Sequence, residues 1–399
     1  MNCYRMNPRM ARGGILSILS LVLLLPFTGR GADIVINEVM ASNSSIAPLA
    51  DQPDYFPDFV ELYNNSGREI DLVTERWAIS TKANPDWGPV FFDFKDFFLF
   101  PPGTPTFPTN SYLLVYFDNA TNFPGIHTTF TKGGTNVTFT LSRNGESLKL
   151  YRGFTPLVNP TSFVVDSVMF GFQLPTNSIG RVPDFTGDFT LTVPTPCGGT
   201  IPCLSNIAAP FVPAPVSSNM LTLKMNEWLA TNSAGWDKDW LEIYNPDTNV
   251  VSLSGLVFVD KFSNLLIPLE SRPVPPLTFI APLGFVQFFC TKNDITNRPA
   301  QELSFSISSD SVEDIFMVAS NKVTIIDKVR SDRPLRNTSQ GRLPDGGDVF
   351  PGRLPNLSPE ASNVMGIRPS ITEQPVSLSV NWGQSASRSE ERRVGKECA

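Results

Sequence analysis

Apolar and polar positions alternate along much of the chain with a period of two, the spacing that sends successive side chains to opposite faces of a strand. On that pattern, and with turn residues between the runs, strands are expected over residues 34–40, 58–64, 77–81, 90–94, 112–117, 136–142, 147–151 and 163–170. In Asp58-Phe59-Val60-Glu61-Leu62-Tyr63-Asn64 the alternation puts Val60 and Leu62 on one face and Phe59, Glu61 and Tyr63 on the other. Both faces are partly apolar, as in a strand covered on both sides within two packed sheets. Glu61 is the odd member, because a buried carboxylate needs a partner.

The same stretch returns as Asp239-Trp240-Leu241-Glu242-Ile243-Tyr244-Asn245. Each copy follows a second shared stretch, Ile36-Asn37-Glu38-Val39-Met40-Ala41-Ser42-Asn43 and Met225-Asn226-Glu227-Trp228-Leu229-Ala230-Thr231-Asn232. Further on, Phe139-Thr140-Leu141-Ser142 answers to Phe305-Ser306-Ile307-Ser308, and Val165-Asp166 to Ile326-Asp327. Ser178-Ile179-Gly180-Arg181-Val182-Pro183-Asp184 answers to Ser339-Gln340-Gly341-Arg342-Leu343-Pro344-Asp345. This collinear order implies two duplicated domains, which 399 residues at 41% hydrophobic content can each supply with a core. With 36 prolines, 30 phenylalanines and little helical pattern, the expected class is all-β: two immunoglobulin-like β-sandwiches in tandem, over 33–195 and 219–363. The Pro-rich stretch 196–218 between them is expected to be an extended, semi-rigid linker.

The ends read differently. Arg5, Arg9 and Arg12, an apolar run over 15–25 and small residues near Ala32 have the layout of a secretory signal peptide, assigned to 1–32. The expectation is therefore a secreted or cell-surface protein with no membrane insertion after cleavage. Residues 364–387 resemble the opening strands of a bacterial immunoglobulin-like domain, and 388–399 resemble a translated sequencing adapter, so the chain is read as a fragment of a longer protein. The net formal charge of −7 becomes more acidic without the two ends, which argues against nucleic acid as a partner. Of the cysteines outside the ends, Cys197 and Cys203 bracket a short loop and are expected to form a disulfide, while Cys290 reads as a buried free thiol.

The ordered motifs Asn-Glu-x-x-Ala-[Ser/Thr]-Asn, Asp-aromatic-x-Glu-[Leu/Ile]-Tyr-Asn, a strand near Trp77-Ala78-Ile79-Ser80 and a late Gly-Arg-x-Pro-Asp resemble the lamin tail domain family in its bacterial secreted form. The second copy departs from the first in carrying Leu256 where Trp77 stands. The resemblance implies an immunoglobulin-like sandwich used as a non-enzymatic module, often beside other extracellular domains. The expected partners are an extracellular protein or polysaccharide.

The residues that could carry chemistry are few. The single histidine, His127, has no Gly-x-Ser-x-Gly elbow or other nucleophile spacing around it. The recurring carboxylates Glu38, Glu61, Glu227 and Glu242 could in principle form acid and base pairs. Their duplication favours a structural role instead, with Glu61 paired to Arg181 and Glu242 to Arg342. Asp51, Asp54 and Asp58 cluster on one loop and are the candidate calcium ligands, without EF-hand spacing; no other cofactor is expected. Aromatics from Trp87 through Phe91, Phe92, Phe94, Phe97, Phe98 and Phe100 offer either core or an exposed platform for sugar rings. Two alternatives to a free-standing binding or architectural protein stay open: modules accessory to a hydrolase or nuclease domain further along a longer chain, and a carbohydrate-binding module.

Overall fold

The computed structural model describes residues 32–82, 96–132, 135–154, 164–197, 202–216, 223–230, 238–291, 300–333, 338–348, 353–354 and 356–364. Apart from Ala32 and Val364, the expected signal segment, adapter-like end and third-domain strands lie outside these residues, as does the strand expected at 90–94.

The chain is all-β. The first unit contains β1 (Ile34–Met40), β2 (Phe59–Asn64), β3 (Ala78–Ser80), β4 (Phe98–Leu99), β5 (Ser111–Tyr116), β6 (Ile126–His127), β7 (Thr129–Lys132), β8 (Thr135–Thr138), β9 (Glu146–Tyr151), β10 (Val164–Phe170), β11 (Ser178–Val182), β12 (Asp188–Val193) and β13 (Ile207–Ala208). The second contains β14 (Lys224–Leu229), β15 (Asp239–Tyr244), β16 (Val251–Ser252), β17 (Val257–Val259), β18 (Phe279–Ile280), β19 (Phe285–Cys290), β20 (Glu302–Leu303), β21 (Glu313–Val318), β22 (Ile325–Ser331), β23 (Ser339–Gly341) and β24 (Arg353–Leu354). A seven-stranded sheet, β13-β12-β11-β1-β2-β5-β6, faces a four-stranded one, β10-β9-β3-β4, in the first unit. The second repeats the plan with β20-β19-β15-β14-β23-β24 against β17-β21-β22. Each unit is thus an immunoglobulin-like sandwich.

Every residue of β1 is buried, as expected of a central strand covered on both faces. Val60 and Leu62 join the main core with Trp77, Phe98 and Phe170, while Phe59 on the opposite face packs into a smaller cluster with Met40, Leu114 and Tyr116. Phe97, Phe98 and Phe100 are buried, so this part of the aromatic run is core and not a platform. Trp87, Phe91, Phe92 and Phe94 lie outside the described residues. In the second unit Leu256 is fully buried where the first has Trp77.

The linker is not a separate spacer. Its first half supplies β13, which adds to the edge of the first sheet by pairing with β12. Its second half is held to the second unit, where the Val212 amide donates to the Val250 carbonyl and the Ser252 amide to the Val212 carbonyl, both at 2.8 Å. Direct contacts close the junction: the Phe279 amide donates to the Phe172 carbonyl at 3.0 Å, and Gln173 Nε2 to the Leu277 carbonyl at 2.8 Å. Phe172 lies in the second core and Phe279 in the first.

Candidate functional site

The four recurring glutamates define the place where the two units are most alike. Glu38 on β1 stands directly opposite Glu61 on β2, and Glu227 directly opposite Glu242, each pair just past a bulge in the first strand. All four have no exposed surface. An Asn from the Asn-Glu motif ties each pair: Asn37 Nδ2 donates to Glu61 Oε1 at 3.1 Å, and Asn226 Nδ2 to Glu242 Oε1 at 3.2 Å. The same Asn accepts from the turn after the late motif, from the Phe185 amide in one unit and the Gly346 amide in the other, both at 3.0 Å.

A returning segment closes each site from above. Thr195 donates its amide to Glu38 Oε1 at 3.0 Å, with Ser178 Oγ adding a bond of 2.5 Å to the same oxygen. Ser358 donates its amide and its hydroxyl to Glu227 Oε2, at 3.2 and 2.9 Å, and Ser339 Oγ donates to Oε1. Asn206 then reaches the carbonyls of Asn37 and Arg181, as Asn363 reaches those of Asn226 and Arg342. The amides of Asn206 and Asn363 also donate to Asp184 and Asp345, at 2.9 and 3.0 Å.

These closing residues escape a sequence comparison because Thr195 and Asn206 are eleven apart while Ser358 and Asn363 are five apart. The Cys197–Cys203 disulfide lies between Thr195 and Asn206, and the second unit has no counterpart to it. The first sandwich therefore extends past the boundary expected at 195, because Asn206 belongs to its polar network.

The expected pairing of Glu61 with Arg181, and of Glu242 with Arg342, is corrected by the geometry. Glu61, Glu38 and Gly180 are opposite one another across three strands and so share a face; Arg181, one residue on, must point to the other. There its Nη2 bonds Asp166 at 2.8 Å and its Nε donates to the Ile36 carbonyl at 3.0 Å. Arg342 repeats this with Asp327 at 3.0 Å and the Met225 carbonyl at 2.9 Å. The glycine before each arginine leaves room for the closing amide, since a Cβ on Gly180 would sit 2.7 Å from Asn206 Nδ2, and one on Gly341 2.9 Å from Asn363 Nδ2.

Without an arginine, each pair keeps a proton. Burial pushes the Glu61 carboxyl up to about 9, with the charge of Glu38 adding to the effect, and burial raises Glu38 itself to about 7. Burial and the neighbouring Glu227 likewise push Glu242 up to about 9, and burial raises Glu227. At neutral pH Glu61 and Glu242 are carboxylic acids, so each pair avoids the cost of two buried charges.

The other candidate residues go to separate places. Asp51 and Asp54 are exposed, whereas Asp58 turns inward and accepts the Asn43 amide at 2.8 Å. The calcium site expected from these three is not assembled, and no group of three such side chains suited to a metal occurs among the described residues. His127 is buried, with Nδ1 2.6 Å from Asp118 Oδ1 and Nε2 3.0 Å from the Phe123 carbonyl. Tyr55 donates to the same aspartate. Cys290 is a buried free thiol.

Comparison with known proteins agrees with this picture of the first unit. Residues 28–170 match the family model described as Lamin Tail Domain. The lamin-tail match spans β1 to β10. No curated protein matches the chain. Among solved structures, a DUF4876 family protein from Bacteroides thetaiotaomicron is similar at 13% identity and a TM-score of 0.26, over 38% of this chain and 62% of that one. No helix among the described residues is long and apolar enough to cross a membrane.

Proposed function

We propose that the protein is a non-catalytic, exported binding and architectural module, in which two lamin-tail sandwiches present their outer surfaces to an extracellular protein or polysaccharide. The observation that carries this reading is the sealing of the duplicated carboxylates. Glu38, Glu61, Glu227 and Glu242 are fully buried, and the returning segments donate hydrogen bonds to Glu38, Glu227 and Glu242, which leaves a substrate atom no open approach. Two such closures, alike almost bond for bond, serve to fix the fold. The coupled junction between the units supports the architectural part, because it holds both outer surfaces in one orientation.

The test runs the full chain over an array of extracellular polysaccharides and matrix proteins, and in parallel against ester, peptide, glycoside and nucleic acid substrates. Saturable retention without turnover is the expected result. Turnover that disappears in Glu61→Gln or Glu242→Gln would overturn the reading.

A further inference from the structure

Both sandwiches bury a carboxylate pair under a returning segment, but the first ties that segment down with a disulfide, while the second contains the single cysteine Cys290. Thr195 and Ser358 hold matching places, since each donates its amide and its hydroxyl to the first glutamate of its pair. Cys197 and Glu360, two residues further on, therefore correspond. The Glu360 amide donates to Glu242 Oε2 at 2.6 Å. The Cys197 amide faces Glu61, yet Glu61 Oε2 is left without a hydrogen bond among the described residues.

The first segment also has further to return. Thr195 Oγ1 reaches Asn206 Oδ1 over eleven residues, where Ser358 Oγ reaches Asn363 Oδ1 over five. A longer loop costs more entropy to close, and a cross-link within it removes part of that cost. The Cys197–Cys203 bond thus stands in for the hydrogen bond that Glu61 lacks. One closure is thereby open to thiols and the other is not.

Cys203 is exposed, whereas Cys197 is only 8% exposed, so an incoming thiol reaches the disulfide from the Cys203 side. We propose that Cys197–Cys203 is a redox latch, through which an external dithiol frees the segment over Glu38 and Glu61 while both sandwiches stay folded. A thiolate of the dithiol attacks the Cys203 sulfur, and the disulfide electron pair leaves on Cys197, which takes up a proton. The second thiolate then displaces Cys203 from the mixed disulfide. Both cysteines end as thiols and the dithiol as its own cyclic disulfide.

Release couples to the proton held beneath. Burial, with the charge of Glu38 added, pushes the Glu61 carboxyl up to about 9, and water admitted by a freed segment removes the larger of these causes. The groups facing Glu61 are Glu38 of β1, Asp184 after β11 and Tyr112 of β5, while Arg181 points to the other face and pairs with Asp166. None of those three is a cation, so an ionised Glu61 repels its neighbours and favours the open state. Because the closed state holds the proton and the open state gives it up, opening of the reduced chain grows as pH rises from 5 to 8.

The experiment is hydrogen–deuterium exchange of the full chain, oxidised and reduced with dithiothreitol, at pH 5 and pH 8, read as protection factors over residues 195–197 and, as internal control, 358–360. The double variant Cys197→Ser, Cys203→Ser repeats it without reductant, so that the change is confined to these two sulfurs. The expected result is a loss of protection of roughly tenfold or more at 195–197 on reduction, larger at pH 8 than at pH 5, with 358–360 unchanged. The double variant should match the reduced chain, and Glu61→Gln, which cannot ionise, should remove the pH dependence. Unchanged protection at 195–197, a disulfide that withstands the dithiol in the folded chain, an opening equal at both pH values, or protection lost throughout β1 and β2 as well would each overturn the proposal.

Discussion

The protonated carboxyl of Glu61 sets up a stability difference whose sign changes the usual intuition about removing a buried acid. Its folded value of about 9 stands above the ordinary 4.5, so the proton binds the native state more tightly than the unfolded chain. The stability gained from that proton is fully present below pH 4.5 and is lost as pH rises through about 9. One pKa unit corresponds to about 1.4 kcal/mol, so at pH 7 the unfolded chain is favoured by up to about 3 kcal/mol through ionisation of this group alone. Coupling to Glu38 and relaxation of the site bring the expected value to about 1–3 kcal/mol. Glutamine keeps an oxygen for Asn37 Nδ2 and cannot ionise. Glu61→Gln is therefore expected to leave stability nearly unchanged at pH 4 and to raise it by about 1–3 kcal/mol at pH 7–8. Urea unfolding of wild type and variant across pH 4–9 measures this directly. A loss of stability at pH 8 as large as that at pH 4 would refute the claim that the fold stores a proton here.

Glu242→Gln should show the same pH dependence with a smaller gain, because the new NH2 must face the Glu360 amide that Glu242 Oε2 accepts at 2.6 Å, and the two variants should add, since the sites share no hydrogen-bond partner; denaturation midpoints at pH 8 check this. Arg342→Ala should cost about 3–5 kcal/mol by urea unfolding and Arg181→Ala less, because the arginine side chains are 3% and 17% exposed and the deeper aspartate is left more fully unpaired. Gly180→Ala should destabilise by about 1–3 kcal/mol, measured as a drop in Tm, because the new methyl must displace the Asn206 amide. Reducing Cys197–Cys203 should lower stability by about 2 kcal/mol, the loop-closure value for so short a ring, and should do so only in the unfolding transition that reports the first unit.

Much of this architecture was legible in alternation and repetition. The strands around Glu61 and Glu242 and the buried character of both faces follow from period two in Phe59-Val60-Glu61-Leu62-Tyr63. Recurrence of Glu61 with Arg181 misassigned the contact, for Glu61 meets Asn37 and Arg181 meets Asp166. Co-occurrence in two copies shows that residues serve one fold, not that they touch. Strand parity separates them, and parity needs the register, which the bulge between Ile36 and Glu38 shifts. Thr195 and Asn206 were hidden for another reason: the disulfide loop stretches their spacing relative to Ser358 and Asn363. The acidic loop looked like calcium chemistry because sequence shows Asp51, Asp54 and Asp58 as neighbours, while burial pulls only Asp58 inward, its carboxyl raised to about 6.

The exchange of Phe172 and Phe279 across the junction turns two homologous beads into a strut. Flexible tethers pay an entropic cost each time two sites engage one target, and that cost depends on how well the tether length fits the span. Here the span is preset in the fold, so any long polymer lying along both sandwiches meets a ruler of fixed pitch. The same exchange forbids dividing the molecule cleanly at its proline-rich waist, for each half would carry away an aromatic plug from the other and leave a hole behind.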